Sequence, residues 1–379
     1  MRVLYVIDSV VASGGAERSL VALAPQLIAR GVELDVRYLV ERPGLQDELR
    51  KAGATVEVVG SASRLRRIGE IRSAVLATRP DLVHTTLFEA DVTGRTAARL
   101  ARTPVVSSLV NVAYGPEQRR DPRLSAAKLR GAQAIDAATA RGVSRFHAIT
   151  NYVADVMGRR LRIPRSKINV ISRGRDAPTL GRRSPERAGQ ARHELGVPED
   201  VPLIVAAGRH EWQKGLDVLI EAFAMVREQH RDAVLLVAGR EGNQTRALLA
   251  QIERFGLSSA AVLLGSRSDV PELLAAADVF AFPSRWEGLG SVLLEAMALE
   301  APIVASHIPA VAEIVDERSA LLVLEPTPNA LATRILQALD EPHEGAARAK
   351  LAREVFLERF TIERVADQML AFYERALAA

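Results

Sequence analysis

Residues 278–298 read Asp278-Val-Phe-Ala-Phe282-Pro283-Ser284-Arg285-Trp286-Glu287-Gly288-Leu289-Gly290-Ser291-Val292-Leu293-Leu294-Glu295-Ala296-Met297-Ala298. An apolar, aromatic run halted by a proline suits a strand buried in a parallel sheet. Gly288 and Gly290 let the backbone after it come close to a ligand, and Ser291 reads as the N-cap of a helix that carries Val292 and Glu295. Backbone N–H groups at such a helix start point at an anion lying beyond the strand. Glu287 falls on the loop and Glu295 about one turn into the helix, so both carboxylates can face one crevice. A solvated loop charge is the plainer reading of Glu287. It suits Glu295 poorly, because nearly all the neighbours of Glu295 are apolar and a lone buried carboxylate is expensive.

The same alternation of short apolar strands and periodic helices runs through the chain. Strand-like segments begin at Arg2, Leu34, Thr55, Asp81, Pro104, Arg145 and Ile168, and again at Pro202, Val234, Ala261, Asp278, Ala301 and Ala320. This predicts α/β architecture with doubly wound parallel sheets, whose ligands sit beyond the C-terminal strand ends. Between the two series, residues 177–199 carry Pro, Gly and Arg with weak periodicity and read as an interdomain linker with a charged helical turn. The expected domains are therefore 1–176 and 200–360, with residues 361–379 forming a last helix.

Four further strand ends carry candidate groups. Ser13-Gly14-Gly15-Ala16-Glu17-Arg18 is a Gly-Gly turn into a helix, without the third glycine and acidic partner of a dinucleotide fingerprint. His84 is expected to end its strand and point into the crevice, as a hydrogen-bonded structural group or a ligand, and Asn111 follows the next. In the second series, Gly208-Arg209 opens a loop that Lys214-Gly215 closes. An arginine fork and a lysine point charge at one strand end can clamp a diphosphate.

Composition limits what such a crevice serves. At 379 residues the chain exceeds the usual single domain. It has no cysteine, hence neither a disulfide nor a thiolate nucleophile, which suits a reducing cytoplasm. A net charge of +4 and 4% aromatic residues argue against nucleic acid as a partner. No apolar run reaches the ~18 residues of a membrane span, and Met1-Arg2 leads straight into a strand, so a soluble, unexported chain is expected. Two basic-apolar stretches, 64–72 and 119–130, would suit an anionic membrane surface, with a solvated helix face as the alternative.

The stretch from Pro283 to Ala298 resembles the donor-sugar loop of the retaining group 1, or family 4, glycosyltransferases of GT-B architecture, in which two glutamates at the spacing of Glu287 and Glu295 grip a nucleotide sugar. Gly-Gly-Ala-Glu-Arg at 14–18 is similar to that family's first loop, and Gly208-Arg209 with Lys214-Gly215 to its diphosphate clamp. The resemblance implies two Rossmann-like domains facing a cleft. The N-terminal one would take the acceptor, the second the donor, and the C-terminal helix would pack back on the first. It further implies a hexosyltransferase with a nucleoside-diphosphate sugar as donor and a glycan, lipid-linked or small-molecule acceptor. No metal or other cofactor would be required, and the setting would be the cytoplasm, at the inner face of the plasma membrane when the acceptor is lipid-linked. Glu287, Arg209, Lys214 and Asn111 become the catalytic candidates. Gly15, Arg267, Val270, Leu289, Gly290, Ser291, Val292 and Glu295 join the clamp and Glu287 as donor contacts, and Gly14, His84 and Asn111 stand on the acceptor side. Many relatives place a histidine where this chain has Val110, so Asn111 is the substitute proposed for it. A sugar-binding protein without turnover, or an epimerase or phosphorylase on the same fold, is the competing expectation.

Overall fold

The computed structural model describes residues 1–12, 14–115 and 125–378. The chain forms two compact units, Met1–Gly174 joined by the last helix, Ile362–Leu377, and Arg175–Thr361.

The first unit is built on a seven-stranded sheet of β1 (Arg2–Ile7), β2 (Glu33–Tyr38), β3 (Thr55–Val58), β4 (Leu82–Thr86), β5 (Val105–Leu109), β6 (Arg145–Ala148) and β7 (Ile168–Val170). Its spatial order is β3-β2-β1-β4-β5-β6-β7, and every pairing is parallel. Strands covered on both faces need apolar residues throughout, which is why Val3-Leu4-Tyr5-Val6-Ile7 is uniformly buried rather than alternating. The last helix completes this core. Its Val365, Met369, Phe372, Tyr373 and Ala376 recur at three- and four-residue steps and pack with Val3, Tyr5, Leu20 and Leu27. Full burial of Phe372 alone is worth about 1.5–3 kcal/mol.

In the second unit, β8 (Leu203–Ala207), β9 (Val234–Ala238), β10 (Ala261–Gly265), β11 (Val279–Phe282), β12 (Ile303–Ser306) and β13 (Leu321–Val323) make a parallel sheet in the order β10-β9-β8-β11-β12-β13. Ile204, Phe223, Leu235, Val237, Val304 and Ile335 lie at the centre of its core. Strand order reverses between β1 and β4 in the first sheet and between β8 and β11 in the second. At such reversals the loops diverge to opposite faces and leave a crevice at the C-terminal strand ends. The doubly wound α/β class read from the sequence is the fold observed.

Two local expectations are corrected. Residues 177–199 are not a linker. They belong to the second unit and contain helices Ala177–Leu180 and Pro185–Leu195, the latter capped by Ser184. Arg187 grips Glu272 through two hydrogen bonds of 2.8 and 2.6 Å, and the buried Arg192 reaches Asp278 at 2.6 Å. Paired arginines, invisible to hydrophobic periodicity, fix this segment. The chain passes between units two residues earlier than expected: Arg175 already belongs to the second, where its N–H donates to Phe360 O at 2.9 Å.

Candidate active site

In the second unit the loops after β8 and β11 meet. The loop after β8 tightens into a 3-10 turn, Trp212–Lys214, and Gly215 then starts the helix Leu216–Gln229. Gly215 has φ +64°, and a β-carbon there would collide with the Pro283 carbonyl oxygen. Only glycine lets the two loops touch at that point. The stem of Lys214 folds back over Gly208, where an added β-carbon would lie 3.2 Å from it.

This brings Lys214 Nζ to 2.5 Å from Glu287 Oε1. The Ser284 hydroxyl donates to the same oxygen at 2.8 Å, and Gln213 Nε2 approaches Oε2 at 3.4 Å and the Trp286 carbonyl at 2.8 Å. Glu287 is only 6% exposed, and it tolerates burial because it accepts a charge-assisted hydrogen bond and a hydroxyl donor. Glu287 is therefore not the solvated loop charge of the plainer reading: it is buried, and Lys214 is its partner. Arg209 lies at the same strand end, exposed, and its guanidinium makes no ion pair among the described residues.

The helix Ser291–Ala298 follows, with its start corrected by one residue. The N-cap is Gly290, at φ +87° and ψ +65°, and Ser291 is the first helical residue. A β-carbon on Gly290 would lie 2.7 Å from the Phe282 ring, so glycine is required on two counts. Leu289 is buried beneath the loop, and Val292 is partly covered. Glu295 is not a lone carboxylate: Arg175 Nε donates to its Oε1 at 2.8 Å, and both side chains are mostly buried. After β10, Arg267 and Asp269 form a two-pronged ion pair, Nε to Oδ1 at 2.8 Å, that holds the Asp269 carboxyl below its ordinary range. Val270 opens the helix behind them.

In the first unit, the Gly-Gly turn is flanked by opposite charges. The Glu17 carboxylate folds over Gly14 and would clash with any side chain there, and Arg173 Nη1 lies 2.7 Å from where a Gly15 β-carbon would be. Asp8, at the end of β1, accepts Ala90 N–H at 2.7 Å, yet burial pushes its carboxyl up to about 6. Asn111 is exposed just beyond β5, its own amide oxygen accepting Val112 N–H at 2.8 Å.

His84 does not end its strand. β4 continues to Thr86, and the ring, 1% exposed, sits in a hydrogen-bonded chain with Tyr373, Ser108 and His147. Proton positions in that chain follow from its last member. His147 Nε2 lies 2.8 Å from the Ile171 carbonyl, which can only accept, so Nε2 carries the hydrogen and Nδ1 accepts from the Ser108 hydroxyl. Ser108 Oγ then accepts from His84 Nε2–H, and His84 Nδ1 accepts from Tyr373 O–H, both at 2.7 Å. Both rings are neutral: burial lowers His84 well below the ordinary histidine value and His147 to about 4. With both nitrogens engaged, His84 has nothing left for an acceptor, although it lines a small cavity of about 50 Å3 with Tyr5, Ser108 and Arg173.

The sequence reading missed Gln213, Ser284, Arg175 and Arg173. Ser284 stood inside the quoted stretch and Gln213 inside the clamp frame, but the two arginines carried no local signal. Of the basic-apolar stretches, the helix Arg64–Thr78 leaves Leu65 81% exposed, whereas Arg64 is held by Glu89 and Arg67 by the Ser61 and Leu39 carbonyls. The second stretch lies in part, at 119–124, outside the described residues. Among the described residues no helix is long and apolar enough to cross a membrane.

Comparison with known proteins follows the two units. The family described as "Glycosyl transferases group 1" matches residues 189–355, and "Glycosyltransferase Family 4" matches residues 13–177. An alpha-D-kanosaminyltransferase of Streptomyces kanamyceticus is 26% identical over 59% of this chain and 58% of its own. For a D-inositol 3-phosphate glycosyltransferase of Saccharomonospora viridis the figures are 32%, 61% and 55%. The chain thus spans roughly half to two thirds of the length of the curated relatives it matches. The crystal structure of Anabaena HepE in complex with UDP-glucose superposes with a TM-score of 0.86 at 24% identity, over 99% of this chain and 100% of that one. At that identity the likeness is one of fold.

Proposed function

Since the chain belongs to the group 1 glycosyltransferases and has the GT-B fold, we infer that it moves a sugar from a nucleoside-diphosphate sugar to a glycan, lipid-linked or small-molecule acceptor, with retention at the anomeric carbon. The observation that carries this is the Lys214–Glu287 pair at the strand-order reversal of the second sheet, with Arg209 exposed beside it.

As the diphosphate leaves, its bridging oxygen gains negative charge and the anomeric carbon gains positive charge. Lys214 and Arg209 answer the first, preplaced in a partly desolvated site where such charges act most strongly. The N–H groups at the start of helix Ser291–Ala298 add partial positive charge. The Glu287 carboxylate, positioned by Lys214 and Ser284, favours the carbon's charge. Glu295, anchored by Arg175, is the acceptor for nucleotide ribose hydroxyls, and the backbone around Arg267 and Val270 is the base contact. These groups supply the leaving-group charge without a metal. In the first unit, Gly14 and Asn111 are the acceptor-side contacts of this reading. A lipid-linked acceptor would bring the chain to a membrane surface, with Leu65 and its exposed arginines as the contact; equal sedimentation with anionic and neutral vesicles would remove that part.

The test is a thermal-shift screen against UDP, GDP, ADP and dTDP and their glucose, galactose and mannose conjugates, followed by release of free nucleoside diphosphate. A ligand at a hundred times its Kd adds ~2.7 kcal/mol to stability. Absence of both a shift and release overturns the reading. Binding without release assigns a sugar-nucleotide receptor instead. The product anomer, read by NMR coupling, decides retention.

A further inference from the structure

One side chain in the quoted stretch has no role in the chemistry above, yet touches both loops that deliver it. Arg285 Nη1 donates to the Trp212 carbonyl at 2.7 Å and to Asp217 Oδ1 at 2.8 Å, and Nη2 donates to Asp217 Oδ2 at 2.6 Å. Its backbone N–H donates to the Gln213 carbonyl at 2.8 Å, and its guanidinium stacks 4.5 Å from the Trp212 ring centroid. Trp212 in turn packs on Trp286 at 5.4 Å. Arg285 therefore grips residues 212, 213 and 217, on both sides of Lys214, from a position two residues before Glu287.

A planar fork is what this place demands. Three side-chain hydrogen bonds and an aromatic stack fix the guanidinium in one plane, and a lysine could satisfy only a fraction of them. Asp217 stands in the first turn of helix Leu216–Gln229, where a negative charge suits the helix dipole, so its position is fixed independently of Arg285. The fork thus ties the β11 loop to a rigid helix start.

We propose that Arg285, seated on Asp217 and Trp212, is a positioning residue that sets Lys214 and Glu287 in register for the departing diphosphate. This rests on the donor-site reading of the second unit. When a diphosphate draws the Lys214 ammonium away from Glu287, the two loops lose their direct ionic tie. The Arg285–Asp217 clasp keeps their backbones in place through that exchange, so the lysine moves by rotamer and the loop holding Glu287 does not open. A substitution at Arg285 therefore acts on the nucleotide through Lys214, and not on its own.

The experiment is a double-mutant cycle on the whole chain: Kd by calorimetry for whichever of UDP, GDP, ADP and dTDP binds most tightly, in wild type, Arg285→Gln, Lys214→Met and the double variant. Circular dichroism and Tm are recorded for each. The expected result is at least ten-fold weaker binding for Arg285→Gln in the wild-type background, under two-fold further change in the Lys214→Met background, and partial recovery in Arg285→Lys. Such non-additivity marks residues acting through one another, and a role confined to stability would not produce it. Equal factors in both backgrounds, or unchanged affinity and kcat in a folded Arg285→Gln protein, overturn the proposal while leaving the donor site standing. If Lys214→Met itself binds like wild type, the donor-site reading fails and takes this proposal with it. Should Arg285→Gln not fold, Asp217→Asn breaks the same clasp, and the same outcomes apply.

Discussion

Lys214 Nζ and Glu287 Oε1 lie 2.5 Å apart, each side chain mostly buried. An ion pair out of water is worth little over an apolar pair of the same shape, but removing one partner strands the other. Lys214→Met should therefore destabilise the protein by roughly 3–5 kcal/mol, because it leaves Glu287 charged and buried. Lys214→Met with Glu287→Gln should recover a large part of that loss. Urea unfolding of both variants measures it; a double variant no more stable than the single one would show that the pair is not what holds the loops.

Activity in excess EDTA follows from the same charges. With Lys214 and Arg209 placed on the leaving diphosphate, transfer should continue at its full rate without divalent metal. Loss of turnover that added Mg2+ or Mn2+ restores would contradict the assignment.

The buried histidine chain makes a pH prediction with a definite sign. Folded His84 and His147 are neutral, with His147 lowered to about 4, whereas an unfolded histidine protonates near pH 6.5. Between roughly pH 6.5 and 4 the unfolded chain therefore binds more protons, and the stability these rings contribute is lost as pH falls through that window. The slope approaches about 1.4 kcal/mol per pH unit for each ring. Asp8, raised to about 6, works in the opposite sense, so a global unfolding curve mixes the two. Histidine NMR separates them. Both rings should show Nε2–H tautomers and no titration between pH 8 and 5. A ring that titrates near 6.5 would mean that the chain to Tyr373 is open.

The helix–strand alternation and the glycines at Gly215 and Gly290 made the fold and the site's location readable, because strand burial and close backbone approach both leave marks in local sequence. Partnership did not. Lys214 and Glu287 are 73 residues apart, Arg175 and Glu295 are 120 apart, and His84 and Tyr373 are 289 apart. Nothing in the residues near Glu295 announces that its cation comes from the start of the unit. His84 stayed open for a related reason: near a strand end a hydrogen-bonded structural histidine and a ligand look alike until Tyr373, from the far end of the chain, occupies the ring.

The two glutamates should separate kinetically, since each is held by a different partner. Glu295 reaches Arg175 from within a helix and is the proposed ribose contact, so Glu295→Gln should weaken nucleoside diphosphate and nucleotide sugar alike. A charge-assisted hydrogen bond of that kind is worth about 1.5–3 kcal/mol, or roughly ten- to hundred-fold in Kd. Glu287 competes with the diphosphate for Lys214. Glu287→Gln removes that competitor and one negative charge beside the phosphates, so diphosphate affinity should hold or improve. Turnover should fall all the same, because the carboxylate's contribution is felt mainly as positive charge builds at the anomeric carbon. Kd for the diphosphate and kcat, measured side by side for both variants, decide the assignment. A Glu287→Gln protein that loses nucleotide affinity, beside a Glu295→Gln protein that loses only kcat, would reverse the roles. Full activity in both would mean that the carboxylates only hold loops together, and the mechanism built on them would fall.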